Sequence, residues 1–339
     1  MSDELLELSF RRLFESEKLS DNINIVWHAG EPLAVPLEFY EKACQFAEKY
    51  RPDHIKIIHT FQTNGIPLTQ AWCDFIREID AKIGISIDGP KFINDLNRVN
   101  RKGLGTFEKT LKGIELLKKN GIDFSVIAVL TEKSLEFPDE LLDFFSGIGA
   151  TSVGFNVDEV ENKHNTSSLG DAEAKIKYQR FMRRVFEKVI HNPSAYPKIR
   201  ELDIARSRIA AIANDVSGYK HQESKSYAIV AVDYLGNFST FSPELLGENT
   251  EQYGKWIFGN IMENTIDEMA DNDAFKKVLH DIRQGEKNCK KECDFHSVCG
   301  GGSPSNKLGE KNSLLATATD FCELTVKNTI EAALQAHRL

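Results

Sequence analysis

Five short runs rich in β-branched and apolar residues, at 23–27, 54–60, 82–87, 124–130 and 152–157, alternate with helical periodicity at 37–49, 69–79, 105–120 and 137–146. Strands separated by helices are joined by crossovers rather than hairpins, so they run parallel in one sheet with the helices packed against it. A further helix is predicted over 3–14, where Leu6, Phe10 and Leu13 recur at helical spacing behind Ser2, with Asp3 and Glu4 in the first turn. That helix has no strand ahead of it, so the βα series reads as one strand short at its start.

Beyond this series the pattern changes. A helical stretch over 171–192 leads away from the sheet, and after about residue 225 the signal becomes that of a hairpin. Tyr227 to Val232 reads as one strand, Gly236-Asn237 as its turn and Phe238 to Phe241 as the return. Residues 1–224 are therefore expected to form an α/β unit with linker helices, and 225–339 a second unit. With 41% hydrophobic residues, 27% charged residues and no low-complexity tract, the 339 residues can bury a core of that size.

A formal net charge of −9 works against neutralising phosphates, so nucleic acid is not an expected partner. The acidic start Met1-Ser2-Asp3-Glu4 leads into an amphipathic helix and has neither signal- nor transit-peptide character. No apolar run approaches the roughly 20 residues that span a bilayer. The chain is expected to be cytoplasmic and free of membranes, where thiols stay reduced and six cysteines do not read as a disulfide framework.

Ligands of parallel α/β sheets gather at the C-terminal ends of the strands. The first strand ends in Trp27-His28-Ala29-Gly30-Glu31-Pro32, the second in Gln62-Thr63-Asn64-Gly65, the third in Ser86-Ile87-Asp88-Gly89-Pro90 and the fourth in Ala128-Val129-Leu130-Thr131. Taken singly each is ordinary turn composition, and Glu31 alone reads equally well as an acidic turn before a helix. His28, and Asp158 and Glu159 beyond the fifth strand, are candidate proton-transfer groups. None is assigned a catalytic role, since a cleft carboxylate more often solvates a rim.

Cys44 and Cys73 stand alone in helical stretches and read as core residues. Cys289, Cys293, Cys299 and Cys322 instead follow the pattern C-x3-C-x5-C-x22-C, with Gly300-Gly301-Gly302 after the third. Four thiolates suit a [4Fe–4S] cluster, and glycines let backbone N–H groups approach its sulfurs. A structural zinc ion uses the same ligands, usually as two C-x2-C pairs, so the spacing favours the cluster.

The loop series resembles the S-adenosylmethionine (SAM) binding loops of radical SAM enzymes, and Cys299-Gly-Gly-Gly-Ser-Pro-Ser-Asn-Lys307 resembles the SPASM-type extension of radical SAM maturases. With Phe238 to Gly247 and Phe258-Gly259-Asn260, nearly the whole chain most resembles the cyclophane-forming radical SAM/SPASM enzymes that mature ribosomal peptides, relatives of anaerobic sulfatase-maturating enzymes. The resemblance implies a partial (β/α)6 TIM-like barrel lacking its first strand, followed by a SPASM/twitch-like iron–sulfur module with a β-hairpin. It implies that Gly30 and Glu31 bind the methionine amino group of SAM and that Thr63 and Asn64 lie near the cofactor. Ser86 and Asp88 would face its ribose or the substrate, and Arg98 would pair with its carboxylate; Arg98 reads otherwise as a solvated surface arginine. It also implies an auxiliary [4Fe–4S] cluster on the four C-terminal cysteines, a precursor-peptide substrate and a flavodoxin- or ferredoxin-type electron donor.

Two departures qualify this resemblance. Full SPASM modules carry further cysteines, one near the hairpin turn, where this chain has Ser239 and Ser242, so one auxiliary cluster is expected. The family's catalytic cluster needs a C-x3-C-x2-C triplet after the first strand, and residues 1–339 contain none. A longer form is therefore expected to carry the catalytic cluster, and these residues alone are not expected to cleave SAM. Three other functions compete: a sulfatase-type maturase that oxidises Cys or Ser to formylglycine, a truncated paralogue that only binds peptide, and a zinc-stabilised structural protein. The uncovered parallel edge at 23–27 is expected to promote self-association.

Overall fold

The computed structural model describes residues 1–160, 166–214 and 219–337. Six parallel strands lie side by side in sequence order: β1 (Asn22–Trp27), β2 (Lys56–Thr63), β3 (Lys82–Ser86), β4 (Ser125–Leu130), β5 (Ser152–Val157) and β6 (Lys198–Ile199). Helix α1 (Asp3–Phe14) precedes them, capped by Ser2, whose Oγ accepts from Leu5 N at 3.2 Å. Between the strands come α2 (Leu37–Tyr50), α3 (Gln70–Glu78), α4 (Lys91–Asn97), α5 (Phe107–Lys119), α6 (Pro138–Ile148) and α7 (Ala172–His191). Among the described residues β1 pairs only with β2 and β6 only with β5, so the sheet is an open, partial barrel.

Alternation along the strands sorts the two faces. Ile83, Ile85, Val126, Ala128, Leu130, Val153, Phe155 and Val157 are buried in the main core with the helices. The opposite face presents Asn24, Thr60, Gln62, Ser86, Ser125 and Asn156, all partly or fully accessible. A parallel sheet normally buries both faces under apolar cover; here one face is a polar lumen.

Residue 198 begins the strand that sequence reading did not anticipate. Its two residues follow Pro197 and give way at once to α8 (Arg200–Ala213), too short for any alternation to register. The second strand runs to Thr63 rather than ending at 60, which carries the pairing with β3 up to the site. At the other margin β1 packs Ile25 and Trp27 against Leu6, Phe10, Ala43 and Ala47 of α1 and α2. Its lumen side leaves Val26 45% exposed, beside Ile58 at 37%.

His59, on the helix side of β2, is 8% exposed. Trp27 Nε1 donates to its Nδ1 at 3.1 Å, and its Nε2 lies 3.9 Å from Cys44 Sγ. Burial lowers its pKa from 6.5 to about 4. A depressed histidine pKa gives stability that is complete above the unfolded value and is lost as pH falls toward the folded one. Between pH 6.5 and about 4 the fold is expected to lose up to about 3 kcal/mol from this ring. Urea midpoints of His59→Gln should flatten over that window; an acid limb identical to wild type would refute the assignment.

The C-terminal part holds a three-stranded antiparallel sheet ordered β11-β8-β7, from β7 (Val230–Val232), β8 (Asn237–Thr240) and β11 (Gly259–Asn260). A small ribbon, β9 (Asn249–Thr250) with β10 (Gly254–Lys255), lies between. The first hairpin strand starts at Val230, three residues later than its apolar run, because Tyr227 adopts φ 63° and breaks the extended chain. Helices α9 (Asp273–Glu292), α10 (His296–Cys299), α11 (Pro304–Lys311), α12 (Asp320–Cys322) and α13 (Thr329–Ala336) complete it.

Hydrophobic packing crosses residue 225 in both directions. Leu5 of α1 is buried with Phe238, Phe241, Trp256 and Phe275, and Leu8 and Leu13 pack against the same cluster. In return α13 lies on α7 and α8, with Tyr178 OH 3.1 Å from Thr329 Oγ1, and Leu324, Val326 and Ile330 join the barrel core. Among the described residues no helix is long and apolar enough to cross a membrane.

Candidate functional site

At the end of β1 the chain turns through Ala29 and Gly30, both left-handed at φ 70° and 61°. The Gly30 position is open, so conformation rather than space calls for glycine there. The turn delivers Glu31 to the end of β2. Its Oε1 accepts from Thr63 Oγ1 at 2.6 Å and from Leu33 N at 3.0 Å, and its Oε2 accepts from Asn64 N at 2.8 Å. Three donors fix the carboxylate and leave acceptor capacity for one more. The side chain of Asn64 is committed to its own turn, accepting from Ile66 N at 2.8 Å.

One strand further, Gln62 Nε2 donates to Ser86 Oγ at 2.9 Å across the lumen face, and the absent Cβ of Gly84 makes room for that glutamine. Asp88, 4% exposed, accepts from Val129 N at 2.9 Å and from Arg98 Nη2 at 2.7 Å. The backbone of Arg98 is held by Thr106, whose N and Oγ1 donate to the Arg98 carbonyl at 3.1 and 3.0 Å, and Asp95 accepts from Phe107 N at 3.0 Å, joining α4 to the start of α5. Arg98 Nε is buried with no hydrogen-bond partner among the described residues. The sequence-predicted residues thus form two constellations, Gly30, Glu31, Thr63 and Asn64 at the ends of β1 and β2, and Ser86, Asp88 and Arg98 at the end of β3.

All four C-terminal cysteines line one cavity of about 510 Å3. Asn156 and Val157 at the end of β5, Glu159, Arg200, Glu201 and His221 share its wall. Among the described residues no three Cys, His, Asp or Glu side chains converge tightly enough for a single metal ion. A cluster, unlike one ion bonded at about 2.3 Å to every sulfur, holds its thiolates apart at the corners of a cage.

The wall has the polarity such a group needs. Thr319 N donates to Cys322 Sγ at 3.4 Å and Lys307 Nζ to Cys289 Sγ at 3.5 Å. In the same wall His221 Nδ1, Arg208 Nε and Glu201 Oε2 are buried with no hydrogen-bond partner among the described residues. Gly300 packs so closely on residues 219–221 that a Cβ would stand 2.6 Å from His221 N, which is why the chain after Cys299 is glycine.

Residues 14–145, from the end of α1 into α6, match the family model of the radical SAM superfamily. An uncharacterized protein of Synechocystis sp. is 38% identical over 338 residues, 98% of this chain and 84% of that protein. This chain belongs to the radical SAM superfamily. It is related to the serine-type anaerobic sulfatase-maturating enzyme of Bacteroides thetaiotaomicron, at 26% identity over 91% of this chain and 75% of that enzyme. In fold it matches an anaerobic sulfatase-maturating enzyme solved with bound AdoMet, at TM-score 0.79 and 23% identity, over 100% of this chain and 90% of that one. SuiB of Streptococcus suis, solved with its precursor peptide SuiA, matches at TM-score 0.63 and 15% identity, over 95% of this chain and 69% of that one. As a radical SAM enzyme of oxidoreductase type, the chain works with SAM and [4Fe–4S] chemistry.

The wall of the cysteine cavity also contains residues that sequence reading passed over. Glu201 is buried, and its Oε1 accepts from Phe155 N at 3.1 Å and from Arg200 Nε at 2.8 Å. Arg200 Nη2 donates to Asn156 Oδ1 at 2.9 Å, placing the guanidinium over Gly154, where a Cβ would stand 2.7 Å from it. An Arg-Glu pair at a helix start carries no motif; the glycine inside β5 was the available signal of close approach. Of the proton-transfer candidates, His28 is exposed and Asp158 accepts from Ser168 N at 2.8 Å. Glu159 reaches the cysteine cavity and accepts from Asn306 Nδ2.

Proposed function

We propose that this radical SAM chain is the body of a peptide maturase that activates a C–H bond of a ribosomally made precursor peptide and joins an aromatic ring to a nearby carbon, closing a cyclophane. The observation that carries the reading is the single cavity walled both by the end of β5 and by Cys289, Cys293, Cys299 and Cys322. When bound, SAM on its catalytic cluster supplies the hydrogen-abstracting deoxyadenosyl radical.

In this reading Glu31, oriented by Thr63 and Asn64, receives the amino group of SAM. Arg98, anchored on Asp88, receives its carboxylate, and Ser86 faces the ribose or the substrate. The four C-terminal cysteines hold an auxiliary [4Fe–4S] cluster, and a flavodoxin- or ferredoxin-type protein delivers electrons in a cytoplasmic setting. Peptide binding to SuiB and to the sulfatase-maturating enzyme solved with the Kp18Cys peptide supports the substrate class.

A second reading, oxidation of Ser or Cys to formylglycine, is favoured by the relatives that cover most of the chain. Co-production of the enzyme and a small peptide encoded beside it decides between the two. Cross-linking predicts loss of a pair of hydrogens, a fragmentation gap spanning the joined residues and no reaction with hydrazide. A hydrazide-reactive aldehyde supports the second reading, and unmodified peptide that co-purifies with the enzyme supports a binding role alone.

A further inference from the structure

Lys307 is 7% exposed, although it carries a long, strongly hydrated ammonium. It reaches inward from α11 to the cavity that the four C-terminal cysteines line, and its Nζ donates to Cys289 Sγ at 3.5 Å. Among the described residues no carboxylate comes within ion-pair distance of it; Glu286, on the same helix as Cys289, feels its charge without pairing to it. The neighbouring chain leaves room for the amine: a Cβ on Gly285 would lie 3.1 Å from Nζ, and one on Gly302 3.8 Å from Cε.

A buried ammonium without an anion costs several kcal/mol, and folded proteins resolve that cost by pairing. The partner available here is the Cys289 sulfur, which is a thiolate when it ligates a cluster. Four thiolates around an iron–sulfur core carry net negative charge that increases on reduction, so a fixed cation and a hydrogen bond to sulfur both favour the reduced state.

We infer that Lys307 is the built-in counter-charge of the cluster held by Cys289, Cys293, Cys299 and Cys322, and that it raises that cluster's reduction potential through the Cys289 sulfur. This rests on the cluster assignment made above. Lys307 does not ligate iron; it positions charge beside a ligand.

Lys307→Met keeps the length of the side chain and removes its charge and donor, whereas Lys307→Arg keeps both. In anaerobically reconstituted protein, iron per chain measures loading and an EPR-monitored redox titration measures potential. At equal iron content, Lys307→Met is expected to lower the midpoint enough to change the reduced-to-oxidised ratio at least tenfold at a fixed potential, about 59 mV for a one-electron couple. Lys307→Arg should titrate close to wild type. Equal midpoints for wild type and the Met variant overturn the inference. Should the Met variant fail to hold iron, Lys307→Gln keeps a donor without the charge, and a wild-type midpoint there overturns the charge role. Wild-type protein that takes up zinc but no iron overturns the cluster assignment instead.

Discussion

Asp88→Ala is expected to lower the unfolding free energy by about 3 kcal/mol, the lower end of what losing one partner of a buried ion pair costs. The lower end applies because Arg98 keeps a quarter of its side chain in water. The carboxylate is 4% exposed and holds two donors, Val129 N and Arg98 Nη2. Its loss orphans the β4 amide and frees the arginine, whose Nε already lacks a partner among the described residues. Asp88→Asn preserves an acceptor for Val129 and should fall about midway, since a charge-assisted hydrogen bond is roughly twice as strong as a neutral one. Urea unfolding measures both, and SAM affinity in the cluster-loaded enzyme should fall in the same order. An Asp88→Ala variant as stable as wild type would show that the pair is a surface ornament.

Cys299→Ser and Cys322→Ser are each expected to reduce iron and acid-labile sulfide from about four per chain to below about one, with loss of the visible absorption, if the C-terminal thiols hold one auxiliary cluster. Cys44→Ala is the control. That thiol sits beside His59, far along the chain from the cavity, and burial pushes its pKa up to about 11, so at neutral pH it is a protonated core group. Undiminished iron in both serine variants, or equal loss in the control, would sink the assignment. Because metal ligation is coupled to folding, the serine variants should also unfold at lower urea than wild type.

The elements that sequence periodicity revealed are those whose burial follows one period along their length. Helix α7 was legible because Tyr178, Phe181, Met182, Val185 and Phe186 recur on one face. The strands β3, β4 and β5 were legible because their helix-facing sides are continuously apolar. The polar lumen face was not inferred, because Gln62 and Ser86 were read with the loops at their strand ends and Asn156 as one residue of a strand, until the register put them on one surface. Ends of strands drew attention to Glu31, Thr63 and Asp88, because ligands of parallel sheets gather where the strands stop, whereas Arg98, at the end of α4, came only from the family resemblance. Arg200 and Glu201 left no such mark, and Lys307 was read only as the end of the Cys299–Lys307 motif: each meets a neighbour distant in sequence, and only the fold brings β5 to the first two and Cys289 to the third.

The exchange of α1 and α13 between the two cores makes the molecule a clasp fastened at both ends. Leu5 closes over Gly236, where a Cβ would stand 2.7 Å from its methyl group, while Gln179 Nε2 meets Glu331 Oε2 at 2.7 Å at the other fastening. A protease cut near residue 225 would therefore not release two self-sufficient pieces. Each would keep a stripe of side chains shaped for the piece it had lost, so neither part can be grafted onto a foreign partner without carrying the matching helix along.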